Sequence, residues 1–409
     1  MPEFDALSTA MMIVGVIAFV MGTVAYLILA ERKVAAWVQD RIGPNRVGPW
    51  GLLQPIADGG KMFLKEDVIP SHVDRIFFVL APIVSFSTAL LAIAVVPVGP
   101  STPPPAPQST FAEYEAVQTA YAQSLTFAIQ PGLDIGLLYL FAVSSLAVYG
   151  VILAGWSANN KYSLLGSLRS SAQIISYEIP LGMAIGGVLI YAGSLNLEQI
   201  TAWQRNHGWF VFFQPLAFLL FLTAVFAETN RLPFDLPEAE QELVGGYHTE
   251  YSSSMKLGLM LLAEYAHMIT TSFLLAIIFW GGWSCFGLES VAGETGLPAI
   301  LLRFAILGIK VFAFVFLFLL VRWTIPRFRF DQLMSLAWKV MIPLALLHFL
   351  VVVVVRYLEL PMYALSALSV LLFLGAGCVG LVASNGNQMP RRSPQAARLG
   401  AKSLSLMPQ

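Results

Sequence analysis

The chain has 409 residues, of which 57% are apolar and only 11% charged, and its formal net charge is -1. A soluble domain carries roughly 25% charged residues, so most of this surface must face lipid, and near-neutrality argues against nucleic-acid binding. The two cysteines, Cys285 and Cys378, lie in or beside apolar segments, with neither metal-site spacing nor a disulfide framework.

The N-terminus MPEFDALSTA is acidic. The apolar run after it is too long for a signal h-region and has no small-residue cleavage site, so it reads as a first membrane span. A spanning helix needs about 20 apolar residues. Nine segments qualify, near 9–30, 76–97, 133–155, 172–193, 209–227, 257–285, 298–321, 337–355 and 361–383. The expected fold is all-α and polytopic. Residues 1–383 form one transmembrane helical domain, and 384–409 a polar, basic tail. Of the 23 Lys and Arg residues, 19 follow odd-numbered spans. Basic connections stay cytoplasmic, which puts the N-terminus outside and the C-terminus inside. No fixed period repeats along the chain, which excludes a solenoid.

The first inner connection, 31–75, is too long and too rich in special residues for a plain loop. RIGPNRVGP sets Gly43, Pro44, Gly48 and Pro49 where they make sharp turns. GLLQPIADGGKMFLKE then alternates apolar and polar residues at helical spacing, which predicts a helix lying in the interface. Glu31, Asp40, Asp58, Glu66 and Asp67 interleave with Arg32, Lys33, Arg41, Lys61 and Lys65. Such a mixed network suits a docked partner or the border of a site for a polar-headed ligand. The outer loop STPPPAPQSTFAEYEAVQTA is Pro-rich and reads as a packing or contact element.

Charge inside a bilayer is costly, so each intramembrane acid is a functional candidate. Glu178 lies in the fourth span, two residues before Pro180. Glu264 lies in LMLLAEYAHMITTSFLL beside Tyr265 and His267, and Lys310 lies in the seventh span. Glu228 closes the fifth span and opens AETNRLPFDLPEAEQELVGGYHTEY, which holds six of the chain's 24 acids: Glu228, Asp235, Glu238, Glu240, Glu242 and Glu250. Closely spaced carboxylates in low dielectric share protons. Pro233 and Pro237 keep the segment irregular, and irregular backbone at this depth needs a water-lined cavity or protein cover. The inner segment 228–256 therefore reads as a hydrated acidic funnel into the bundle.

These blocks carry a resemblance. ERKVAAWVQDRIGPNRVGPWGLLQPIADGGKMFLKE, GWSANNKYSLLGSLRSSAQIISYEIPLG, AETNRLPFDLPEAEQELVGGYHTEYSSSMK, LAEYAHMI and PRFRFDQLMSLAWK closely resemble the bacterial membrane-arm family of respiratory complex I, the proton-pumping NADH:quinone oxidoreductase, whose mitochondrial counterpart is NADH dehydrogenase subunit 1. The resemblance implies a heel position in the membrane arm, in the bacterial inner membrane. The protein would build a quinone chamber, for ubiquinone or menaquinone, together with peripheral quinone-binding and iron–sulfur subunits. It would also begin a proton path toward small membrane subunits that adjoin the antiporter-like pumps. The implied quinone-binding residues are Glu31, Arg32, Gln39, Arg41, Asp58, Lys61, Lys65 and Glu66. The implied proton path runs through Glu178, Glu228, Asp235, Glu238, Glu240, Glu242 and Glu264. No cysteine cluster, dinucleotide turn or P-loop is present, so FMN and iron–sulfur clusters belong to partners. Two rivals are a free-standing secondary transporter, which would need a midplane site on broken helices, and a membrane anchor without quinone contact.

Overall fold

The computed structural model describes residues 6–99, 129, 133–236, 243–251, 255–288 and 297–386. Glu238, Glu240 and Glu242, the Pro-rich outer loop and the basic tail lie outside these residues. Within them every regular element is a helix. Seven helices are long and apolar enough to cross a membrane, and two shorter apolar ones take the places of the expected fifth and ninth spans.

The first helix, α1 (Ala6–Val38), outruns its hydropathy signal. ERKVAAWV consists largely of good helix formers, and no Gly or Pro interrupts it before Gly43. Glu31 and Arg32, expected on a loop, are therefore on rigid helix. The turn Pro49–Gly51 follows, with Gly48, Trp50 and Gly51 at φ 72°, 54° and 79°. Then comes the expected interfacial helix, α2 (Gln54–Leu64).

Helix α3 (Arg75–Ile93) starts on Asp74, whose carboxylate accepts from the Ile76 and Phe77 amides at 3.1 and 3.4 Å. It packs on α4 (Gly136–Ser157), and α4 packs in turn on α5 (Lys161–Ala192). Contact between α4 and α5 is close: a Cβ on Gly155 would collide with the Ser167 side chain. In lipid, helices associate through such small-residue contacts. Helix α5 starts 11 residues before the predicted span, capped by Asn160, and runs without interruption through Pro180.

Beyond α6 (Leu197–His207) the expected span 209–227 is divided. A single turn, Phe210–Phe213, is separated by Gln214 from α7 (Pro215–Glu228). Pro215 supplies no amide hydrogen and starts a new helix, while the Gln214 side chain donates to the Gly187 carbonyl at 3.0 Å.

Helix α8 (Met255–Phe279) is the most enclosed of the seven long helices. It stops six residues short of the predicted end, where Gly281 and Gly282 take φ of 70° and 54°. The freed carbonyls of Trp280, Gly282 and Ser284 accept from Lys310 Nζ at 2.6, 2.8 and 2.6 Å. Lys310, on α9 (Leu297–Thr324), thus holds the turned-back chain and also lies 4.3 Å from the Trp209 ring centroid. Helix α10 (Phe330–Tyr357) contains a π-helical turn at Ala337–Met341, and α11 (Met362–Gly386) completes the described bundle.

Candidate functional site

Among the described residues, two cavities share one side chain. The larger, about 500 Å³, is walled by α1, α2 and α8. Apolar side chains such as Met21, Leu29, Met62, Phe63 and Leu262 line it, with Glu31, Arg32, Gln54, Asp58, Arg231, Glu264, Tyr265 and Arg322 as its polar groups. A mostly apolar hollow of several hundred Å³ with a few convergent polar groups is the usual form of a ligand site.

Its charges are ordered in two knots. In one, Asp58 on α2 accepts from Arg32 at 2.6 Å, from Lys61 at 2.7 Å and from Gln54 at 2.9 Å. Burial pushes the Asp58 pKa up, but the bonds from Lys61 and Gln54 and the charge of Arg32 outweigh it. The carboxyl is held below the usual carboxylate value. In the other knot, Glu31 of α1 is buried between two guanidiniums. Arg231 approaches to 3.4 Å, Arg322 pairs with the other oxygen, and Tyr265 donates its hydroxyl at 2.9 Å. Arg231 also stacks over the Tyr265 ring, 4.1 Å from its centroid.

Among the residues singled out in the first connection, the structure thus brings Glu31, Arg32 and Asp58 onto one wall, with Lys61 paired to Asp58. Gln39 and Arg41 are exposed and hydrogen-bond each other. Lys65 and Glu66 are exposed beyond the end of α2, and all four lie outside that lining. Arg231, Arg322 and Tyr265 had no role in the sequence reading. Their signal is faint: Arg231 is the one base in the acidic segment, and Arg322 ends an apolar helix.

The smaller cavity, about 50 Å³, lies deeper and is lined by Glu228, Glu264, His267, Tyr247, Ser85 and Ser144 together with apolar groups. Glu264 lines both cavities. Tyr247 donates its hydroxyl to Glu264 Oε1 at 3.0 Å. Glu228, the last residue of α7, is hydrogen-bonded by Ser144 and feels the charge of Glu178 on α5. Glu178 in turn accepts from Ser145.

The described residues after Glu228 are tightly held. Gln173, fully buried on α5, donates to the carbonyls of Ala227 and Phe234, each at 2.8 Å. Asp235 pairs with Arg327 at 2.9 Å. Glu250 accepts from Asn160 at 2.7 Å and faces His72 at 3.6 Å. The three described acids of this segment therefore go to three different places. Gly166 lets the returning turn Gly246–His248 lie against α5, since a Cβ there would sit 2.9 Å from the Gly246 carbonyl carbon.

That turn carries an acid-sensitive group. His248 is buried, its Nε2 meets no protein partner, and burial pulls its pKa down from 6.5 to about 4. The folded state thus holds the ring neutral while an unfolded segment takes up a proton below pH 6.5. The stabilisation is complete above that value and is lost as pH falls toward 4, up to about 3 kcal/mol at the low end. His248→Gln is expected to lessen acid lability, read as amide exchange of residues 245–251 at about pH 5 and 7.5. Equal exchange ratios in the two proteins would remove His248 as the cause.

Residues 11–353 match the protein family described as NADH dehydrogenase. The chain belongs to that family. It is 46% identical over 377 residues to NADH-quinone oxidoreductase subunit 8 of Thermus thermophilus, covering 91% of this chain and 93% of the relative. To the corresponding NADH-quinone oxidoreductase subunit of Flavobacterium psychrophilum it is 46% identical over 343 residues, with 84% and 95% covered. To that of Leptospira biflexa it is 49% identical over 322 residues, with 78% and 86% covered. The matched stretch contains every described residue of both cavities. This chain is accordingly a membrane subunit of the NADH-quinone oxidoreductase type.

Proposed function

We propose that the larger cavity is this subunit's part of a quinone chamber, and that the smaller cavity starts the acidic path along which quinone reduction is coupled to proton translocation. The observation that carries the reading is the sharing of Glu264 between a ligand-sized hollow and a buried carboxylate site. The hollow is apolar along α1, α2 and α8, as an isoprenoid quinone requires, and its charges concentrate around Glu31 and Asp58. Electrons would come from the FMN and iron–sulfur clusters of peripheral partner subunits. Small membrane subunits beside the antiporter-like pumps would receive the far end of the path. The chain would sit in a bacterial inner membrane with its first connection and residues 228–256 facing the cytoplasm. Residues 1–383 would serve as one domain and 384–409 as a tail on anionic lipid or a neighbouring subunit.

Asp58→Ala tests the chamber. Losing the acceptor that orders Arg32, Lys61 and Gln54 should raise the KM for a short-chain quinone about fivefold or more in membranes carrying the assembled complex, with NADH:ferricyanide activity unchanged. An unaltered KM and kcat would favour a structural anchor without quinone contact.

A further inference from the structure

Beside its carboxylates the small cavity is lined by a histidine, His267. It stands three residues after Glu264 on α8, so the two side chains share a helix face. The ring lines the cavity together with Glu228 of α7, and its Nε2 is buried with no hydrogen-bond partner in the protein. A buried polar atom of this kind is costly unless something mobile satisfies it. The cavity, at about 50 Å³, has room for about three to five waters at the usual need of 10–15 Å³ each, and Ser85, Ser144, Glu228 and Tyr247 offer them polar partners.

We infer that His267 is a proton relay between Glu228 and Glu264, working through water in this cavity; the inference rests on the proton path proposed above. The neutral ring, carrying its hydrogen on Nδ1, accepts at Nε2 the proton released by the Glu228 carboxyl, which becomes a carboxylate. The imidazolium then gives that proton from Nε2 to the Glu264 carboxylate, and the ring is neutral again. One proton has moved and no electron has. Tyr247 fixes the receiving carboxyl at the wall through its bond to Oε1. The titratable groups facing the ring are Glu228 from α7, Glu264 on its own helix and Tyr247 from the turn, with Glu178 on α5 acting on Glu228 by charge. From α3 and α4 the cavity is lined by no titratable group, only by Ser85, Ser144, Ala147 and Val151. A histidine suits the task because a ring nitrogen can both take up a proton and give it back, between carboxylates that do the same.

The test uses the whole complex in its membrane, with His267→Asn and His267→Gln beside Glu228→Gln. NADH:ferricyanide activity reports assembly. The relay predicts NADH:quinone turnover and proton uptake lowered together by about tenfold or more in both histidine variants. It also predicts a changed pH profile of turnover. The double variant His267→Asn with Glu228→Gln should be no worse than its poorer parent. Full turnover with an unchanged pH profile in the histidine variants, while Glu228→Gln is impaired, overturns the relay and leaves the carboxylate path standing. Full turnover in all of them overturns both. Failure of both amide variants to assemble also overturns the relay, because a water-facing ring tolerates an amide of similar size.

Discussion

Glu31→Gln is expected to weaken both the assembled complex and its quinone reduction, because one buried carboxylate offsets two guanidiniums brought from distant parts of the chain. Arg231 follows the fifth span and Arg322 ends α9, and both side chains are largely covered. Removing one partner of a buried ion pair costs roughly 3–5 kcal/mol, because the remaining charge is left uncompensated, whereas replacing all partners together is often nearly neutral. Thermal inactivation of NADH:quinone activity should therefore occur several degrees lower in Glu31→Gln. Adding Arg322→Met should recover part of that loss. Turnover should not recover with it, since the larger cavity would still lack the group that orients Tyr265 and Arg231. Unchanged thermal inactivation in the single variant would mean that solvent reaches the knot and screens it.

The contrast between what hydropathy made legible and what it hid follows from the range of the interactions. All nine apolar segments appear as helix because burying a backbone in lipid leaves few other solutions. Their ends were less legible. ERKVAAW has no hydropathy signal, yet it continues α1 to Val38, and KYSLLGSLRSS likewise opens α5. Division of the fifth span at Gln214 was written in Pro215, but an unbroken apolar run concealed it. The acids were visible as anomalies one by one. Their partners were not: Glu31 meets Tyr265 across 234 residues and Arg231 across 200, and no local pattern encodes such a pairing. Lys310 is a similar case. In the sequence it is an isolated base within an apolar span, and three carbonyls released by the early end of α8 surround it.

Glu264→Gln should have the largest effect of all. Glu264 lines the ligand-sized cavity and the deeper one, so an amide there both alters the chamber wall and removes a proton carrier. NADH:quinone turnover is expected to fall at least tenfold, toward the range typical for a lost general acid or base, with proton uptake falling in step and NADH:ferricyanide activity intact. Tyr247 can still donate to the amide oxygen, so the turn at 246–248 should keep its place. Glu250→Gln is the matched control: its carboxylate is held by Asn160 near His72, away from both cavities, and turnover should stay near normal. Comparison with Glu228→Gln then separates the two duties of Glu264. If both variants fail alike, the carboxylates act in series and the deeper cavity lies on the path. If Glu264→Gln alone fails, and mainly through a raised quinone KM, Glu264 belongs to the chamber wall and protons reach the bundle by another way.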